Sequence, residues 1–254
     1  MAKAHDSRPA LLENLRALQL TTMAQCCEEV AAQAKQESLS YERYLLELSR
    51  REVEARRQKR IERLLRQSKL PLEKSLANFE RQRLPAKVNQ QLATLLEGSF
   101  LERKENVLAF GTVGSGKTHC LCALAQELIV TRQRRIIFTT CALLVQELLI
   151  AKRDLKLAKV LKRLGKFEGL LIDDIGCVQQ GREEMEVLFT LLAERYERGS
   201  VLLTSNLPFS KWESIFKDAM TTAAAIDRLV HHSIILEINL PSYRMEQARR
   251  KRAG

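Results

Sequence analysis

The chain has 254 residues, 45% of them hydrophobic and 29% charged, with a formal net charge of +11. That length and balance suit one compact domain plus a smaller one, and exclude a chain too polar to bury a core. Five prolines and ten glycines exclude long disordered linkers and a sandwich of many tight turns, while the basic excess favours polyanionic partners, nucleic acid or an anionic membrane surface.

The opening MAKAHDSRPALLENL has no continuous apolar stretch of the kind a secretory leader carries. No apolar run approaches the ~20 residues that span a bilayer, so no membrane association is expected. Residues 1–70 read as helices: Leu11, Leu12, Leu15, Leu18 and Met23, then Tyr44, Leu45 and Leu48, then Ile61, Leu64 and Leu65 recur near helical spacing. Residues 50–69 carry nine basic against three acidic side chains, and Arg56, Arg57, Lys59, Arg60 and Arg63 on that helix form either a solvated face or a ridge for DNA phosphates. Residues 71–104 read as a connecting segment with a helix over 89–96 that ends at Gly98.

From residue 105 short apolar runs alternate with longer amphipathic stretches. Asn106–Phe110, Ile136–Thr139, Leu170–Ile172, Val201–Thr204 and Ile234–Ile238 are candidate buried strands with helical crossovers, which makes residues 105–254 an α/β core with a mostly parallel five-stranded sheet. A second basic cluster, Lys152, Arg153, Lys156, Lys159, Lys162, Arg163 and Lys166 against Asp154, lies between the second and third strands, and a basic run at 249–252 ends the chain. Six cysteines, at 26, 27, 120, 122, 141 and 177, include no C-x-x-C pair and mostly sit in apolar surroundings. They read as buried free thiols of a reducing cytoplasm.

Four motifs carry chemistry. Gly111-Thr112-Val113-Gly114-Ser115-Gly116-Lys117-Thr118 fits G-x-x-x-x-G-K-[ST] between an expected strand and an expected helix. Such a loop turns successive backbone N–H groups onto phosphate oxygens, with the positive end of the next helix behind them. Lys117 then reaches the β and γ phosphates of ATP and Thr118 ligates Mg²⁺; His119 occupies the first helical turn and joins this nucleotide-binding set. Leu170-Leu171-Ile172-Asp173-Asp174 delivers two acids to the C-terminal edge of the sheet, where ligands of open α/β sheets sit. Asp173 is expected in the Mg²⁺ shell, and Asp174 is expected to orient or deprotonate the attacking water. Asn206, after the strand Val201–Thr204, is a candidate partner of the γ-phosphate or the lytic water. Arg228 either pairs with a neighbouring acid or is an arginine finger offered to another subunit's ATP. His231 and His232 follow it, but without a matching acid-rich or cysteine set they do not read as a metal site.

GTVGSGKTH, LLIDDIG, LLTSNLPFSKW, AAAIDRLVHHS and the closing SYR, in that order, resemble the IstB-like ATPases, AAA+ helper proteins of bacterial insertion sequences related to DnaC-type helicase loaders and to DnaA. LLENLRALQLTTMAQ, SYERYLLELSRREVEARRQKRIERLLRQSKLP and NFERQ extend the resemblance into the helical region ahead of the core. It implies an AAA+ P-loop fold behind a small helical domain used for DNA binding or oligomerisation. The implied partners are double-stranded DNA, a cognate transposase and further copies of the chain with shared active sites. By this resemblance Lys117 and Thr118 are Walker A contacts, Asp173 and Asp174 the Walker B acids, Asn206 sensor 1, Arg228 the arginine finger and Arg244 a late sensor 2. The helix of Lys152–Lys166 stands where initiator-type relatives face nucleic acid. A replicative helicase loader of the DnaC kind is the alternative. Thr112, Val113 and Ser115 depart from the family's GPPGTGKTH. Asp174 replaces a usual Glu, which withdraws the carboxylate by about one C–C bond, ~1.5 Å, and implies slow hydrolysis.

Overall fold

In the computed structural model, residues 7–175, 181–212, 219–243 and 245–246 are described. The chain divides into two compact units, Met1–Arg63 and Leu64–Gly254.

The first unit is helical: α1 (Arg8–Ala17), α2 (Thr21–Gln36) and most of α3 (Tyr41–Ser68). Leu15, Met23, Cys27, Val30 and Leu48 form its core, flanked by Leu12, Leu20 and Tyr44. One polar contact organises it. The carboxylate of Glu52 on α3, only 4% exposed, accepts hydrogen bonds from the N–H groups of Thr22 (2.8 Å) and Met23 (3.0 Å) at the start of α2. It thus satisfies backbone donors that have no partner within a helix. Arg56 Nε donates to the same carboxylate at 2.7 Å, and its other arm donates to the Gln19 carbonyl at 2.6 Å. Burial alone would raise the Glu52 carboxyl, but Arg56 and the two amides outweigh it and hold the group below its ordinary value.

The second unit is a five-stranded parallel sheet in the order β2-β3-β4-β1-β5. The strands are β1 (Asn106–Phe110), β2 (Ile136–Thr140), β3 (Gly169–Ile175), β4 (Ser200–Ser205) and β5 (Ser233–Glu237). Around them stand α4 (Ala86–Leu95), the single turn α5 (Ser99–Glu102), α6 (Lys117–Arg132), α7 (Cys141–Arg153), α8 (Leu157–Leu164), α9 (Arg182–Arg195) and α10 (Ala219–Val230). Alternate side chains of the central strands feed two cores, as strand geometry requires. Val107, Ala109, Leu171 and Leu202 meet α4 and α6 on one face. Leu108, Leu170, Ile172, Val201 and Leu203 meet α7 and α9 on the other. The segment 71–104, expected as a connection, contributes Leu84, Val88, Leu92, Leu95, Phe100 and Leu101 to the first of these cores. This is the parallel five-stranded α/β core expected from the strand pattern, in the AAA+ class that the family resemblance implied, and among the described residues no helix is long and apolar enough to cross a membrane.

Arg195 closes the N-terminal edge of this sheet. Its side chain, 3% exposed, donates to the carbonyls of Leu164 (3.1 Å), Phe167 and Glu168 (both 3.2 Å) and Ser200 (2.9 Å). Burial lowers the guanidinium pKa to about 10, so it stays charged at neutral pH.

Glu52→Ala strips the cap from α2 and leaves Arg56 without its carboxylate. It is expected to cost the protein about 2 kcal/mol, read as a lower denaturant midpoint. Because the folded pKa lies below the unfolded one, the stabilisation is fully present above the ordinary carboxylate pKa. In the parent protein it fades as the pH falls through the depressed value.

Candidate nucleotide site

The site starts from a glycine-permitted loop at the end of β1. Gly114 and Gly116 hold φ of +79° and +99°, a region costly for side chains, and a Cβ on Gly114 would collide with the Ser242 side chain. The loop hands over to α6, whose first residues are Lys117 and Thr118. Lys117, 6% exposed, donates from Nζ to the carbonyls of Gly111 (3.0 Å) and Thr112 (2.8 Å). The Ser115 hydroxyl is buried without a hydrogen-bond partner among the described residues. Val113 stands 66% exposed at the loop tip.

Two acids arrive from β3. The Asp173 carboxylate accepts from the Thr118 hydroxyl at 2.7 Å and from the Thr204 hydroxyl at 2.6 Å. Thr204, on β4 and 1% exposed, also accepts from the Asp174 N–H at 2.8 Å. At that point the β3–β4 register shifts between Ile172 and Ile175, and Asp174 adopts φ of +65°, a conformation that Asp tolerates better than most residues. The bulge directs successive carboxylates differently although they are neighbours in sequence.

A strap from the segment ahead of α4 forms the facing wall. Gln126 of α6 donates to the carbonyls of Pro71 (2.9 Å) and Lys74 (3.1 Å). His119 Nε2 lies 3.0 Å from the Ser75 carbonyl, and its ring meets Phe79 with centroids 5.0 Å apart. Tyr243 donates to Glu80 at 3.1 Å. Arg83 lies over the Tyr243 ring, 5.0 Å from its centroid, and pairs with Glu246 at 2.9 Å. Between strap and loop lies a cavity of about 160 Å³ lined by residues that include Asn78, Phe79, Arg83, Gly114–His119 and Tyr243.

Of the expected site residues, the fold therefore unites Gly114, Ser115, Gly116, Lys117, Thr118, His119 and Asp173, with Asp174 adjoining. Asn206 lies one residue beyond β4 and lines a separate cavity of about 380 Å³ with Gly111, Thr112, Phe209 and Glu237. Behind it Phe110, Phe209 and Trp212 form an aromatic cluster, with Phe209 4.6 Å from Phe110 and 5.0 Å from Trp212. Arg228 is not brought to this site. It sits on α10 beside Asn106, at the opposite edge of the sheet, with its guanidinium 4.7 Å from the Phe189 ring centroid and donating to the Ala224 carbonyl at 3.2 Å. Arg244, Cys177 and the basic run at 249–252 lie outside the described residues. Thr204 and the strap residues went unread in the sequence. The available signals were a hydroxyl residue at the end of an otherwise apolar strand, and an aromatic-basic stretch, NFERQR, ahead of the phosphate loop.

Burial pushes the Cys120 and Cys122 thiols up to about 12, so they stay protonated at neutral pH, and Cys27 and Cys141 are also buried. Among the basic residues expected at DNA, Arg56 is committed to Glu52, Lys152 pairs with Glu186 (2.9 Å), Lys156 with Asp154 (3.1 Å) and Arg163 with Glu147 (2.5 Å). Arg57, Lys59, Arg60 and Arg63, and separately Arg153, Lys159, Lys162 and Lys166, are at least partly exposed, and among the described residues no ion pair involves them. Helix α8 turns Leu157, Val160, Leu161 and Leu164 into the core, which leaves Lys159 and Lys162 facing water.

Comparison with known proteins agrees with this geometry. The IstB-like ATP binding protein family matches residues 13–251. An insertion-sequence ATP-binding protein of Sinorhizobium fredii is 38% identical over 235 residues, covering 92% of this chain and 78% of that protein. The ATP-binding protein of insertion sequence IS21 from Pseudomonas aeruginosa is 35% identical over 239 residues, covering 93% and 89%. In fold, the chain is similar to the DnaC helicase loader (TM-score 0.52, 18% identity, 60% of this chain and 89% of that one). It is also similar to AMPPCP-bound DnaA from Aquifex aeolicus (TM-score 0.54, 20% identity, 72% and 56%).

Thr204→Val removes the hydroxyl that joins Asp173 to the Asp174 amide. It is expected to cost about 1–3 kcal/mol in urea unfolding, whereas Thr204→Ser, which keeps the hydroxyl, should stay near the parent value.

Proposed function

Since the chain belongs to the IstB-like ATP-binding protein family, we propose that it is a Mg²⁺-dependent ATPase that assembles on duplex DNA and assists a transposase in capturing target DNA. The observation that carries the enzymatic part is the hydrogen bond to Asp173 from Thr118, a residue that lines the glycine-loop cavity. A hydroxyl and a carboxylate in contact form the hard-oxygen donor pair that suits Mg²⁺. Thr118 and Asp173 would hold that ion, and when bound it neutralises charge on the β and γ phosphates.

The chain's own residues do the rest. The N–H groups of Gly114–Lys117 and the partnerless Ser115 hydroxyl donate to phosphate oxygens. Lys117, now shared between two loop carbonyls, exchanges them for phosphate. Phe79, Asn78 and Tyr243 wall the part of the cavity left for the base. Asp174, turned aside by the bulge, orients the attacking water and accepts its proton. A role for Asn206 is supported by its place beside Gly111 and Thr112.

Arg228 lies at the far edge of the sheet from its own phosphate loop, so the reading as an arginine finger requires a second copy of the chain, whose ATP it would touch. Hydrolysis then depends on assembly. The exposed lysines and arginines of α3 and α8 supply phosphate contacts rather than base reading, since no aromatic side chains stand among them.

Size measurement on duplex DNA with ATP or ADP tests this reading. A multi-subunit complex that needs both ATP and DNA is expected. Arg228→Ala should keep ATP binding but lower turnover in the assembled state by on the order of 10³-fold. A monomer on DNA whatever the nucleotide would sink the assembly and turn the search to a helicase partner. Lys159→Gln with Lys162→Gln should weaken duplex binding and make the slope of log affinity against log salt shallower, by about 0.9 for each phosphate that the variant no longer neutralises. An unchanged slope would remove α8 from the DNA surface.

A further inference from the structure

His231 and His232 follow α10 with no acid beside them in sequence, but the fold supplies one. Glu197, in the turn after α9, brings a carboxylate oxygen to the two imidazoles, and one donor atom from each of the three residues lies within 4.8 Å of the others. We infer that Glu197, His231 and His232 form a binding site for one divalent transition-metal ion of the Zn²⁺ class.

The backbone on both sides is held in place. The His231 N–H bonds the Asp227 carbonyl at 2.9 Å, and the His232 carbonyl accepts from the Asn106 N–H at 2.7 Å, fixing the turn to the first residue of β1. Opposite, Glu197 has φ of +58° in a tight turn that Arg198 and Gly199 close on the Arg195 carbonyl at 2.9 and 3.0 Å; Arg195 is the buried keystone of that edge. The two imidazole rings are 4.1 Å apart and inclined by 59°. The Tyr196 hydroxyl lies 3.0 Å from His231 Nδ1. In the tautomer where Nδ1 donates to that hydroxyl, the ring is oriented and Nε2 is left unprotonated as the ligating nitrogen.

Two imidazoles and a carboxylate favour Zn²⁺, Co²⁺ or Ni²⁺ over Mg²⁺ and Ca²⁺, which prefer all-oxygen sets. All three side chains are exposed, so three protein donors leave a fourth position open to water. Asp227 and Glu105 add negative charge nearby, against Arg228. A bound ion clasps the ends of α9 and α10, at the edge of the sheet opposite the phosphate loop. The site stands independently of the DNA and ATPase reading, because it needs neither ligand.

The test uses the untagged full chain, without DNA or nucleotide, in buffer containing excess Mg²⁺ to cover the Thr118–Asp173 position. Zn²⁺ at a hundredfold excess over its dissociation constant is expected to raise the thermal midpoint by roughly 5–10 °C. Co²⁺ should bind at one ion per chain, with absorption lacking thiolate charge transfer. Joint His231→Ala and His232→Ala substitution should abolish both responses. If that variant does not fold, Glu197→Gln should weaken Co²⁺ binding, and Tyr196→Phe should do so by roughly tenfold. Co²⁺ absorption dominated by thiolate ligation, equal binding by the substituted proteins, or no binding by the parent chain would each overturn the assignment.

Discussion

The carboxylate of Asp173 receives hydroxyls from two elements that are remote in sequence, Thr118 at the start of α6 and Thr204 near the end of β4. That convergence exists because β4 lies between β1 and β3. The strand that leads into the phosphate loop and the strand bearing the acids are not neighbours, and the intervening strand bridges them with a side chain. A parallel sheet puts all its C-terminal ends on one edge, so loop, acid and bridging threonine share that edge without any long excursion of the chain. The register shift at Asp173–Asp174 is tolerated because the Thr204 hydroxyl takes up the amide that the shifted ladder leaves over.

The opposite edge is organised by one buried cation. Arg195 donates to four carbonyls drawn from the end of α8, the approach to β3 and the start of β4. Fixing those turns also fixes the turn that carries Glu197, and with it the distance to the histidines that follow α10. Arg228 belongs to this edge as well. The two ends of the sheet therefore carry different side chains: the glycine loop with Lys117 and the paired acids at one, Arg228 and the Glu197–His231–His232 cluster at the other. Within one chain they do not meet.

Charge counts mislead unless side-chain environment is known. Arg56 reads as one of nine basic residues on a ridge, yet it completes a helix cap with Glu52. Lys152, Lys156 and Arg163 read as members of a basic insert, yet each meets an acid. Lys159 and Lys162 stay in water because the apolar residues of α8, at positions 157, 160, 161 and 164, all turn toward the core. A surface ion pair contributes little to stability, but it does reduce the charge available to a phosphate.

The sequence by itself determined the glycine loop, the paired acids and the five strands, because each rests on local spacing: glycines where φ must be positive, a lysine and threonine opening a helix, apolar runs ending in carboxylates; the family was legible from the resemblance of whole motifs in their order. The N-terminal helices were legible for the same reason, from apolar residues at helical spacing. Only the tertiary structure decided that Thr204 joins the acids, that the stretch around Phe79 walls the glycine-loop cavity, that Asn206 and Arg228 stand apart from Lys117, and that Glu197 meets His231 and His232. Each of these depends on contacts between segments that the chain order separates, and strand order together with helix packing sets those distances, which no local pattern encodes.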